Sequence, residues 1–141
     1  MSKALLLIGG ILNSLFFVIH ILLGYQLFHL TQLAPPFRGL IEALNVGGVL
    51  FILFFAYASF FYGKELLGTG LGKAVLVLAS VLYLSRAAEE FFWLRFTPAL
   101  FALYVIVGAI YAALLVIAIR QSHVAPQVSI TAGPRELRRA A

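Results

Sequence analysis

The residues able to do chemistry are few, and most are ionisable groups set in apolar sequence: His20, Glu42, Arg86, Glu89 and Glu90, joined by the amide of Asn45. An ionisable side chain near the centre of a membrane helix costs roughly 2.5–3.5 kcal/mol on insertion scales, so such groups usually face a protein interior or a cavity. A carboxyl beside a fixed arginine can donate a proton or clamp a polar head group. These six residues are the candidates for binding a lipophilic ligand or handling protons. No catalytic residue and no cofactor can be named from them.

Spacing says which of them can meet. Arg86, Glu89 and Glu90 stand at i, i+3 and i+4, which puts them on one helix face with Tyr83 and Trp93. Glu42 and Asn45 share a face of another segment by the same rule. His20 and His29 are nine residues apart and point to roughly opposite sides, so His20 aligns with Asn13 and His29 with Tyr25 and Gln32. A neutral His20 bonded to Asn13 or to a backbone carbonyl is the plainer reading of that residue.

The charges leave a question open. Arg86 with Glu89 or Glu90 is an ordinary intrahelical ion pair that only neutralises buried charge. A second acid then remains, and Glu42 adds a third. Either one acid is protonated by desolvation, or a cation or protonated histidine completes the group. A mixed metal centre drawn from His20, His29, Glu42, Glu89 and Glu90 is one way to complete it. Bis-histidine haem is disfavoured, because His20 and His29 lie on the same segment.

Familiar catalytic signatures fail. Gly68-Thr69-Gly70-Leu71-Gly72-Lys73 resembles a phosphate cradle, but a P-loop needs glycine where Leu67 stands and Ser or Thr where Ala74 stands. No nucleophile elbow or His-Glu-x-x-His is present. The chain has no cysteine, which excludes disulfides and thiolate chemistry.

The elements that must position these residues follow from composition. Of 141 residues 63% are apolar and 11% charged, with mean hydropathy +1.06, against roughly 45–50% and 25% in soluble domains. A small fold cannot hide that excess from water, so the bilayer is the solvent. Continuous apolar runs without alternation, each near the roughly 20 residues that span hydrocarbon, predict helices at about 4–30, 40–62, 73–95 and 98–119. Pro35-Pro36 is expected to close the first, and the glycine-rich stretch at 68–72 to form a flexible turn. Gly108 with Ala112, and Ala109 with Ala113, form small-xxx-small pairs suited to close packing within the chain. Phenylalanines, thirteen in all, are expected to face lipid, to pack, or in part to line an apolar cavity suited to a quinone, sterol or pigment.

Short connections predict an all-α, antiparallel bundle of four transmembrane helices. Lys3, Lys64, Lys73, Arg120, Arg135, Arg138 and Arg139 flank one side, seven against Arg38 and Arg95 on the other. That balance places both termini in the cytoplasm and the polar cluster in the opposite half of the membrane. The expected division is a membrane domain over 1–120 and a basic, flexible cytoplasmic tail over 121–141, whose last arginines could rest on anionic lipid. In architecture the chain resembles small four-helix bacterial membrane proteins, which implies a cytoplasmic-membrane location and no particular activity. Nucleic acid is not an expected partner, because the basic residues flank apolar runs instead of tracking phosphates. The expected partners are the lipid bilayer, a lipophilic small molecule, and another membrane protein or a second copy. Alternatives to ligand binding are an accessory subunit of a larger membrane complex, the His/Glu metal site, and a small dimeric transporter. The transporter reading is weakened because the first helix carries no carboxylate.

Overall fold

A computed structural model describes residues 2–29, 34–92 and 97–124. Trp93, Arg95, Gln32 and the tail from 125 to 141, including its arginines, lie outside the described residues. The described chain is helical throughout, with no strand among the described residues: α1 (Ser2–His29), α2 (Pro35–Phe61), the short α3 (Gly63–Gly68), α4 (Gly70–Phe92) and α5 (Pro98–Val124). Four of these helices are long and apolar enough to cross a membrane: Ser2–His29, Pro35–Phe61, Gly70–Phe92 and Pro98–Ser122. Large apolar side chains stand open on their outer faces, with Phe61 71%, Phe92 70% and Leu71 78% exposed. Apolar surface on that scale suits lipid, not water. The chain fits a small integral membrane protein.

Two expected boundaries are corrected. Pro35 and Pro36 do not simply end α1; they form the first turn of α2, about five residues before the expected start. Proline suits that place, because the first turn has no use for its missing N–H, and Phe37 and Arg38 donate their amides to the carbonyl of Ala34. The expected flexible turn is also largely helical. Lys64-Glu65-Leu66-Leu67 are good helix formers, and buried Leu66 fastens α3 to the bundle. Thr69 then caps α4, its Oγ1 accepting the amide of Gly72 at 2.9 Å. Gly72 is required there by space alone. A Cβ on it would lie 2.1 Å from the carbonyl oxygen of Glu65 and 2.5 Å from Cα of Leu66.

α1 lies along α2 and α4 along α5, and α1 also touches α5. Gly24 faces Asn45 and Gly48 faces His20 across the first pair. Across the second, Ser80 Oγ donates to the carbonyl of Gly108 at 3.1 Å, and a Cβ on Gly108 would meet Leu84 Cγ at 2.9 Å. The small residue Gly108 is thus used inside the chain, whereas Ala109 and Ala113 are exposed. The core is unusually aromatic. Phe16 stacks between Tyr83 and Tyr104, with ring centroids 5.5 and 5.2 Å away, and Phe55 and Tyr111 complete the layer.

Candidate functional site

Between α1, α2 and α4, with Tyr104 of α5 at one side, lies a cavity of about 470 Å³. Four of the six sequence candidates line it: His20, Asn45, Arg86 and Glu89. The rest of the wall is apolar or aromatic, with Phe16, Phe51, Ile52 and Tyr83 among its residues. Space of this size and character matches pockets that hold small lipophilic molecules by a few placed polar groups.

His20 sits here with a defined tautomer. Its Nδ1 lies 3.0 Å from the carbonyl oxygen of Phe16 one turn back. A carbonyl only accepts, so Nδ1 carries a proton, and in the neutral ring Nε2 keeps its lone pair. The backbone carbonyl expected as one possible partner is the one found; Asn13 is not. A Cβ on Gly48 would make only ordinary contact with the ring, 3.6 Å from Cδ2 and 3.7 Å from Nε2.

Asn45 is held by a similar argument. Its Nδ2 donates to the carbonyl of His20 at 3.2 Å, which fixes the amide orientation because the reverse would set two oxygens together. Its Oδ1 is then a buried acceptor without a hydrogen-bond partner. Such a group normally finds one, from protein or from something bound.

Arg86 and Glu89 form an ion pair one turn apart, with the guanidinium 6.0 Å from the centroid of Tyr104. The charges therefore balance inside the cavity wall. The two other acids are accounted for elsewhere. Glu42 does not line the cavity: Arg38, one turn before it, holds its carboxylate at 2.8 Å. Arg38 also donates to the carbonyl of Phe28 at the end of α1 and lies over the Phe28 ring, so it ties α1 to the start of α2. Glu90 turns away too. It is 5% exposed, and its Oε1 accepts the amide of Thr97 at 3.0 Å, immediately before α5. The positive end of a helix is a favourable seat for a carboxylate. The surplus acid of the sequence is answered by a helix terminus.

The residues offered for a metal centre are dispersed. His29 bonds the carbonyl of Tyr25 on an exposed face, Glu42 pairs with Arg38, and Glu90 meets α5. Among the described residues no three His, Asp or Glu side chains are grouped so as to hold a metal ion.

A second polar feature lies deeper, and sequence spacing did not indicate it. Asn13 is fully buried, and its amide joins three helices: Tyr83 Oη donates to Oδ1, while Nδ2 donates to Tyr111 Oη and to the carbonyl of Gly9, each at 2.7 Å. Tyr111 Oη also lies 2.9 Å from Ser59 Oγ of α2. Either hydroxyl can be the donor in that last bond. All four long helices are joined by one chain of bonds, and every polar atom of the Asn13 side chain is matched. Tyr83 closes one end of the cavity while its hydroxyl serves this network. Its place three residues before Arg86 was a signal for the first role, and nothing in the sequence signalled the second.

No protein-family model matches the chain, and no similar protein was found among curated proteins or solved structures.

Proposed function

We propose that this is a membrane protein of four antiparallel spans, both termini cytoplasmic, whose cavity binds a lipophilic molecule by a small polar head. The observation that carries the reading is the cavity itself. Its aromatic and aliphatic wall is interrupted only by His20, Asn45, Arg86 and Glu89, the balance expected where polar groups orient an apolar ligand. The seven-to-two distribution of basic residues supports the orientation. It sets the cavity in the non-cytoplasmic half.

The test is retention. Wild-type protein purified in mild detergent and extracted into organic solvent should release a lipophile in stoichiometric amount, identified by mass spectrometry. Gly48→Leu, which fills the cavity from its wall, should purify without it. A wild-type extract holding only bulk lipid in the proportions of the host membrane would refute the reading.

A further inference from the structure

The polar groups of the cavity differ in what they can still do. Arg86 is matched by Glu89, so the wall presents no net charge to attract an ion. Among the described residues no metal-holding group is present either. His20 has committed its Nδ1 proton to Phe16 and keeps an accepting Nε2. Asn45 gives one of its two Nδ2 protons to the carbonyl of His20 and keeps a buried Oδ1 without a partner. These two residues meet at the α1–α2 seam, where Gly24 admits the amide of Asn45. The unused capacity at that seam includes the accepting Nε2 of His20 on the cavity wall, and an acceptor in an apolar cavity calls for a donor.

Resting on the ligand-binding reading above, we propose that the ligand's head is an uncharged hydroxyl, phenolic or alcoholic, that donates its single proton to Nε2 of His20. A lipophile whose head only accepts, such as a quinone or an ether, can meet N–H groups of Arg86 but leaves Nε2 of His20 unmatched and is the poorer ligand. The reduced or hydroxylated form of a molecule is thus selected over its oxidised or capped form.

The probes are para-nonylphenol and para-nonylfluorobenzene, which share a skeleton and differ in the donor. Each is equilibrated with protein in nanodiscs and with empty nanodiscs, so that simple partitioning is subtracted. The wild type should prefer the phenol by roughly five- to tenfold, the worth of one added hydrogen bond. His20→Phe should bring the preference near unity, and His20→Gln, which restores an acceptor, should recover part of it. Equal binding of both probes to the wild type overturns the hydroxyl head while leaving the cavity reading in place. Binding of neither overturns the inference as well, and the extraction experiment then decides whether the cavity reading falls with it.

Discussion

Replacing Asn13 by leucine keeps the number and branching of heavy atoms at the centre of the bundle and removes an amide whose oxygen and nitrogen are both hydrogen-bonded. Tyr83 loses the acceptor for its hydroxyl, and Tyr111 loses the donor that fixes its orientation. Interhelical hydrogen bonds in membranes are worth about 0.6 kcal/mol on average and up to about 1.7. Breaking two of them and leaving Tyr83 unpaired should cost about 1–3 kcal/mol. Tyr83→Phe alone should cost about 1 kcal/mol, because it leaves Oδ1 of Asn13 without its donor. In the double variant the orphaned partners vanish together, so the two losses should fall short of additive by about 1 kcal/mol. Reversible unfolding in mixed lipid–detergent micelles, followed by circular dichroism, measures all four corners of this cycle. Additivity of the Asn13 and Tyr83 changes within about 0.3 kcal/mol would refute the claim that this bond ties α1 to α4.

Other changes read different parts of the structure. Gly72→Ala should cost about 2 kcal/mol or more in the same unfolding assay, since its Cβ collides with backbone of α3. Gly70→Ala, which meets nothing within 4 Å, should be neutral or mildly stabilising. Arg38→Ala removes the tie from α2 to the end of α1; it should cost only about 1 kcal/mol, because the Arg38–Glu42 pair is partly exposed. Hydrogen exchange should quicken at the end of α1 and not in α5. Gly48→Ala makes only ordinary contact with His20, so its stability should stay within about 0.5 kcal/mol of wild type, while retention of the extracted lipophile falls.

The helices were legible where length and apolarity decide, and illegible where only local chemistry does. Pro98 opens α5 as its position suggests, whereas Pro35-Pro36 reads equally well as a stop and as a first turn. Only the chain's actual pairing, Phe37 and Arg38 on Ala34, resolves it. A six-residue helix such as α3 is too short for periodicity to reveal. In the site, His20, Asn45, Arg86 and Glu89 line one cavity. Glu90 stands about 100° around the helix from Glu89 and reaches the start of α5 instead. Glu42 was lost to a neighbour one turn away, Arg38, whose pairing the i, i+4 spacing did advertise. The Asn13 network stayed hidden because Ser59, Tyr83 and Tyr111 are scattered along three helices. No linear pattern relates them until the helices pack.

The amide at the centre of that network has an electrical meaning. Tyr83 donates to Asn13, Asn13 donates to Tyr111, and Tyr111 shares a hydrogen bond with Ser59, which also lines a separate cleft beside Ser2, Lys3 and Lys64. A row of hydroxyls in this place would be a wire able to pass protons from one cleft to the other. A carboxamide interrupts it, since its N–H is not released and its oxygen is not protonated near neutral pH. The same side chain that fastens the helices is thereby also the break in that row of hydroxyls.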